Sequence, residues 1–459
     1  MKRILCWDEK LVQSNRNVSV IQHKPEKKNI ALYCDDLWEC EHNCYAGIVK
    51  VGNVYRLYYR AKECICVAES NDGITFNKPI VGTHEYNQSK CNNIVYIGDQ
   101  TVDNFAVFLD TNPNCPVDQK FKALSSHSRQ LGCFVSADGY DFRFLKYIPV
   151  KGNFDSYNVC WWDEIDQKYY MYYRAYHHPD GSDLKDGEKN SPTQDIRDVR
   201  FATSIDFNEW QVHGRIKFDQ GQKESELYTN QIQRYYREPN TFIGFPTRYV
   251  DRKNEKRNFY FMPTGDRHFS FTGDNEREGT ALTDCLIMTS NDAITFNRRD
   301  TAFLTPGVEN NYNWWYGDCY TAYGLIETPS PDGAPNQISF YAGENYRIKN
   351  VHFRRFTVRL DGFFSWYAND KGGEIITKPV TIDGEKMFVN FETSIAGGLK
   401  IILLDQDDKQ IDGYQTYVMF GNTVNRPIEF EKPLISLKGK TVKLKIELND
   451  CHLYSLTIE

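Results

Sequence analysis

Carboxylates and arginines recur along this chain at the ends of apolar, strand-like runs. Glu39 and Glu41 precede one such run, and Arg60 closes its partner. Asp103 and Asn104 open a second. Asp155 opens a third, which is followed by Arg174 and by the series Arg197-Asp198-Val199-Arg200. Glu226, Tyr228 and Asn230 come next, then Arg248 and Asp284. Asp318 follows Trp314-Trp315, and Glu344 and Arg347 come last. Two carboxyl groups flanking a scissile bond can divide its cleavage between them. One gives a proton to the leaving oxygen, and the other attacks or activates water. A neighbouring guanidinium keeps one of them ionised, and a nearby like charge raises the pKa of the other. The candidate acids for this work are Glu39, Asp103, Asp155, Asp198, Asp284 and Glu344. Glu41, Arg60, Asn104, Arg174, Arg197, Arg200, Glu226, Tyr228, Asn230, Arg248, Trp314, Trp315, Asp318 and Arg347 are candidates to hold a substrate.

Residues so far apart need elements that return to one place. Four segments share a pattern: ICVAESNDGITF (Ile65–Phe76), GCFVSADGYDF (Gly132–Phe142), VRFATSIDFNEW (Val199–Trp210) and CLIMTSNDAITF (Cys285–Phe296). Each is a short apolar strand, then Ser, a polar pair and an aromatic. The step after Ser reads as a tight turn whose Asp-Gly or Asp-Ala tolerates positive φ. Asp72, Asp138 and Asp292 therefore read as turn formers. Strand pairs precede the copies, as in VYRLYYRA and KYYMYYRA. A strand-rich unit recurring every 50 to 80 residues or so marks a β-propeller blade. Five blades are expected: Glu41–Ile80, Asn93–Tyr147, Asp155–His213, Tyr228–Arg298 and Asp318–Arg359. The polar loop His177–Asp195 reads as a mobile surface loop or lid. In a propeller, the start of each inner strand and the adjoining ends of the second and third strands reach one rim.

After Leu360 the texture changes to alternating strands separated by Gly, Asp and Pro, the pattern of a β-sandwich. The fold class expected is all-β, with a five-bladed β-propeller and an N-terminal lead-in strand over residues 1–358 and a β-sandwich over 359–459. A net charge of −7 argues against a nucleic-acid partner. The 13 Cys, an odd number without a CxxC pair, read as free thiols in a reducing compartment, with no metal site and no cofactor. The start, MKRILCWDEK, has no signal-peptide core, and no apolar run is long enough to span a membrane. A cytoplasmic location and no membrane partner are expected, and an oligomer is possible.

Several motifs then resemble the five-bladed β-propeller glycoside hydrolase superfamily, which includes families 32, 43, 62, 68, 117 and 130. They are Trp38-Glu39, FLDTNP (Phe108–Pro113), ESNDGITF, FDSYNV (Phe154–Val159), LYTNQI (Leu227–Ile232), GFPTR (Gly244–Arg248) and RLDGF (Arg359–Phe363). The stretch Arg359–Val380 resembles the sandwich that follows the propeller in an uncharacterised bacterial group of such proteins. The resemblance implies that acids opening the inner strands of blades 1, 2 and 3 act as base or nucleophile, as orienting acid and as general acid. By position these are Glu39 or Glu41, Asp103 and Asp155. The chain departs from the pattern in having Glu where the first acid is usually Asp, and Asp155 where the third is usually Glu. If Asp155 takes the orienting role, Glu226 or Asp284 becomes the donor. The expected function is cleavage of a terminal, furanosidic sugar from a small oligosaccharide. A phosphate-dependent phosphorylase and a non-catalytic carbohydrate-binding propeller are the alternatives.

Overall fold

The computed structural model describes the chain except residues 1, 8, 40–44, 99–102, 129, 186–187, 192–193, 220–221, 223–224 and 266–278, and the side chains of Asp103 and Asp332. The chain is all-β, and among the described residues no helix is long and apolar enough to cross a membrane. Four sheets have four antiparallel strands each. The first runs Ala46–Val51, Val54–Arg60, Cys64–Ser70, Ile94–Ile97, and the second Asp103–Leu109, Phe121–His127, Gln130–Ser136, Arg143–Tyr147. The third runs Val159–Asp163, Lys168–His177, Ile196–Ser204, Gln211–Arg215. The last runs Ile326–Thr328, Gln337–Glu344, His352–Arg359, with Glu26–Tyr33 from the N-terminal region as its outer strand.

The region expected to form a regular fourth blade departs from that form. It is a seven-stranded sheet built on Ala281–Ser290, with Phe242–Gly244 and Thr247–Asp251 both paired along that strand. Pro246 has no N–H to give to a ladder, and it falls where the partner strand is interrupted. Thr295–Leu304 on the other side of Ala281–Ser290, the short strands Glu226–Leu227 and Gln233–Arg234, and Lys217–Phe218, parallel to Thr295–Leu304, complete the sheet.

Contacts between inner strands run round a propeller-like ring. The first and second sheets meet through Ala46–Val51 and Asp103–Leu109, and the second and third through Asp103–Leu109 and Val159–Asp163. Ser156 Oγ then donates to Tyr228 O at 2.6 Å, Gln231 Nε2 to Thr321 O at 2.9 Å, and Ile48 N to Tyr323 O at 2.7 Å. That last bond returns to the first sheet.

The repeated turns share one hydrogen-bond module. Ser70 Oγ accepts from Gly73 N while Asp72 Oδ1 accepts from Ile74 N, at 2.9 and 2.8 Å. Ser136 with Asp138 and Ser204 with Asp206 repeat it. Asp292 accepts from Ile294 N beside Ser290 in the same way. The residue after each Asp is left-handed: Gly73, Gly139, Phe207 and Ala293 have φ of 71°, 83°, 64° and 67°. The backbone N–H groups of Asn208 and Glu209 hold the Asp206 carboxyl down at about 2.

A ten-stranded sheet takes up most of the chain beyond Leu360, organised on Met387–Leu404 and Thr441–Ile458 around one apolar core. The lead-in strands expected to belong with residues 1–358 pair here instead: Lys2 lies opposite Ile458, Ser14 opposite Ile376 and Ser19 opposite Tyr367. Their partners lie hundreds of residues away, so no local pattern marks the pairing. The described cysteines are all free and, Cys91 and Cys115 apart, buried.

Candidate functional site

The acids opening the inner strands end up in very different surroundings. Glu39 is fully enclosed: it accepts from Tyr59 Oη, from Lys78 Nζ at 2.6 Å and from Asp36 N at 2.9 Å. Its oxygens and those of Asp35 and Asp36 lie within 4.8 Å of one another, close enough for a cation. Lys78 Nζ already bonds all three and supplies the positive charge there. Glu41 lies outside the described residues, as does the side chain of Asp103, whose backbone starts its strand.

Asp155 is the open acid. Its side chain is 63% exposed, with Arg174 Nη2 3.6 Å away and Asn104 Nδ2 3.4 Å away. Arg174 itself is buried. Its Nε and Nη2 donate to Asn153 O and Oδ1 at 3.1 and 2.8 Å, and its guanidinium lies over the rings of Tyr228 and Tyr176 at 5.1 and 5.5 Å. Burial works against that charge. The polar groups of Tyr176, Tyr228 and Asp155 outweigh it and raise the pKa above that of a free arginine. Three buried polar atoms in this neighbourhood have no hydrogen-bond partner: Arg174 Nη1, Asn104 Oδ1 and Tyr157 Oη. A buried donor or acceptor left unmatched costs about 1–3 kcal/mol, so such atoms mark a place built for something else to complete. Asn104 has φ of 66°, an uncommon left-handed setting that turns its amide toward Asp155.

Tyr228 carries the site onward. Arg197 lies over the same ring at 5.4 Å and over Tyr249 at 4.6 Å, and forms an ion pair with Glu226. Tyr316 Oη donates to Tyr228 Oη at 2.7 Å, and Arg347 lies over Tyr316 at 5.6 Å. Asn230 is structural, its Nδ2 tied to Tyr157 O at 3.4 Å and its Oδ1 to Ile232 N at 3.1 Å. Arg60 is half-buried at the end of its strand, where its N–H donates to Tyr45 O.

The remaining candidates lie in closed pairs. Asp198 is buried between His177 Nδ1 at 3.0 Å and Arg200 Nε at 3.2 Å, and Arg200 also reaches Asp183. Asp284 is held by both arms of Arg248, its neighbour across the strand pair. Glu344 meets Lys27 at 2.6 Å, His352 at 2.8 Å and Arg354 at 3.0 Å. Burial would raise its pKa, but those partners together hold it at about 2. Trp314 is half-buried, with Nε1 donating to Gly307 O at 2.9 Å, and Trp315 is buried. Asp318 is buried and pushed up to about 7. Desolvation dominates, and Glu344 adds to it against the N–H groups of Trp315 and Trp314. Its Oδ2 accepts from Trp315 N at 2.9 Å.

Asp155, Asn104, Arg174, Tyr228, Arg197, Glu226 and Arg347 thus form one connected group. Missing from the expected set are the tyrosines around Tyr228. Tyr45 stacks on Tyr157 at 6.2 Å, Tyr320 meets Tyr45 at 5.3 Å and Tyr228 at 5.7 Å, and Tyr316 and Tyr346 pack alongside. A Cβ on Gly47 would fall 2.2 Å from Tyr157 Oη, so glycine is needed where the first sheet approaches this ring. The signal was a tyrosine at the head of several inner strands: Tyr45, Tyr157, Tyr228 and Tyr320.

No family model matches the chain, and no curated protein does. Solved structures give distant likenesses. An N-acetylgalactosamine deacetylase from F. plautii, in complex with blood group B trisaccharide, is 10% identical at a TM-score of 0.45, over 73% of this chain and 95% of its own. A member of the family 130 mannoside phosphorylases and glycoside hydrolases is 12% identical at 0.44, over 73% and 94%. An arabinoxylan arabinofuranohydrolase of family 43 from Bacillus subtilis is 11% identical at 0.34, over 92% and 80%. At these values no residue's role passes from them to this chain.

Proposed function

We propose that the chain is a glycosidase that removes a terminal, furanosidic sugar from a small oligosaccharide at the rim where Asp155 stands. The observation that carries this reading is an exposed carboxylate beside a buried guanidinium and a buried amide that each keep one unmatched atom. A sugar hydroxyl suits both atoms, since it accepts from Arg174 Nη1 and donates to Asn104 Oδ1. Cleavage breaks the bond from the anomeric carbon to the bridging oxygen. A carboxylic acid protonates that oxygen, and water supplies the hydroxyl that ends on the sugar. Asp155 is one of the two acids. Glu226 is its partner on the described side chains, because it sits on Arg197 over the same tyrosine and keeps part of its surface open. Asp103, at the head of the neighbouring strand, is the further acid of the set.

The scaffold we propose is a five-bladed propeller followed by a sandwich. The cycle of inner-strand contacts supports five units, with the seven-stranded sheet as the fourth. The single apolar core of the ten-stranded sheet supports a sandwich. On this reading residues near 26–358 form the ring, and 2–22 belong with 359–459. The free, buried thiols support a cytoplasmic location. A phosphorylase is the second reading, favoured by the two guanidiniums stacked over Tyr228, which suit an anion.

The test is release of sugar from a panel of aryl furanosides and pyranosides, with and without phosphate, by wild type, Asp155→Asn and Glu226→Gln. Turnover that needs neither acid ends the reading. Sugar binding that survives both substitutions, with no turnover by the wild type, makes the chain a binding protein.

A further inference from the structure

Arg197 also lines a cavity of about 380 Å3 between the third and fourth sheets. Arg197, Arg215 and Lys217 line it. Arg197 is committed to Glu226. Arg215 donates to Gly181 O at 2.8 Å, Lys217 is exposed, and neither has an ion-pair partner among the described residues. One carboxylate, Asp198, lines the cavity among the described residues, and it is engaged by His177 and Arg200. The floor is apolar: Val199, Ile216 and Leu227 are buried, and half-buried Phe218 lies beneath the Arg298 guanidinium at 4.5 Å.

We propose that this cavity binds a sugar residue carrying an anionic substituent, so that the substrate is an acidic oligosaccharide. The inference rests on the glycosidase reading for its place in the reaction, though not for the binding itself. Arg215 and Lys217 set two cations at the cavity with no ion-pair partner among the described residues, a setting that suits a negative group. The apolar floor calls for the C–H face of a ring, which an inorganic anion does not have. Arg197 belongs both to the lining of this cavity and to the group around Asp155. A carboxylate and a phosphate ester share the chemistry that Arg215 and Lys217 would recognise.

The experiment is a ligand-observed NMR titration of the full chain with glucuronate, galacturonate and glucose 6-phosphate. Glucose, galactose and inorganic phosphate serve as controls. At least one anionic sugar should bind about tenfold more tightly than its neutral counterpart, and the profile separates carboxylate from phosphate ester. Lys217→Met with Arg215→Met should remove that preference, and Lys217→Glu alone should weaken it, while the melting temperature stays near wild type. The inference is overturned if no anionic sugar binds better than its neutral counterpart. It is also overturned if the preference survives the double variant, or if inorganic phosphate binds as well as any of the sugars. Asp155→Asn should leave this binding intact. Turnover that survives Asp155→Asn, with the anionic preference intact, counts against the glycosidase residues alone. Turnover of a neutral glycoside without any anionic preference counts against this inference alone.

Discussion

Two acids, Glu39 and Asp155, each stand beside a cation, and the resemblance implies a catalytic role for Asp155 and for Glu39 or Glu41. Their surroundings separate them. Around Glu39 the bonding is complete: a tyrosine hydroxyl, a backbone N–H and an ammonium take up its oxygens, and the side chain is closed to solvent. Around Asp155 the bonding is unfinished. The nearest cation stays 3.6 Å off, and atoms of two buried neighbours lack a partner. An acid paired with a cation says little about chemistry by itself, since structural ion pairs look the same in sequence. The residual bonding capacity of the surrounding groups distinguishes an incomplete site from a finished one.

The largest effect should come from breaking the closed pair. Glu39→Gln removes the enclosed one of the three carboxylates on Lys78 and leaves buried donors less well matched, so it should destabilise the fold by up to about 3 kcal/mol, measured by denaturant unfolding. Activity per folded molecule should be unchanged. A stable variant without activity would reverse the comparison. Asp155→Asn should do the opposite: the melting curve stays near that of the wild type, and turnover falls at least about a hundredfold, or about 2.7 kcal/mol of barrier. If turnover survives, Glu226 and Asp103 inherit the role.

Asp318 and Glu344 sharpen the contrast through pH. The folded Asp318 is raised to about 7 from an ordinary 3.8, so folding favours its protonated form. Its contribution to stability is therefore complete below about pH 4 and is lost as pH rises toward 7. Glu344, held at about 2, contributes above its ordinary 4.5, and that contribution is lost as pH falls toward 2. Asp318→Asn should be more stable than wild type at pH 8, on the order of 2 kcal/mol, with the gap closing by pH 4. An equal gap at both pH values would show that burial is not what sets this acid. The smallest effect belongs to the turn module. In Asp138→Asn the new amide oxygen can still accept from Tyr140 N, so stability should change by about 0.5 kcal/mol and activity should hold.

The turns were legible because their chemistry is local: Ser and Asp bond backbone groups two or three residues on, and the pattern recurs. The group around Asp155 was legible in part, since strand ends and a ring topology bring Asn104, Asp155, Arg174 and Arg197 together. The closure of Glu39 was not, because Lys78 approaches from 39 residues away. Nor was the locking of Asp284, which depends on the register that sets Arg248 opposite it. The tyrosines were hidden by their double character, apolar enough to read as core and polar at the tip. The seven-stranded sheet was hidden for another reason: strand number depends on pairing partners, which a run of residues does not name.

The outer strand of the last sheet comes from Glu26–Tyr33, while Lys2–Leu5 pairs with the end of the chain. During synthesis each of these strands therefore waits for a partner made hundreds of residues later. Glu26–Tyr33 can pair once His352–Arg359 is made, whereas Lys2–Leu5 waits until Ser455–Ile458 is made. A nascent chain of this kind spends its translation time as its most aggregation-exposed form, and its yield in a cell depends on how long that wait lasts.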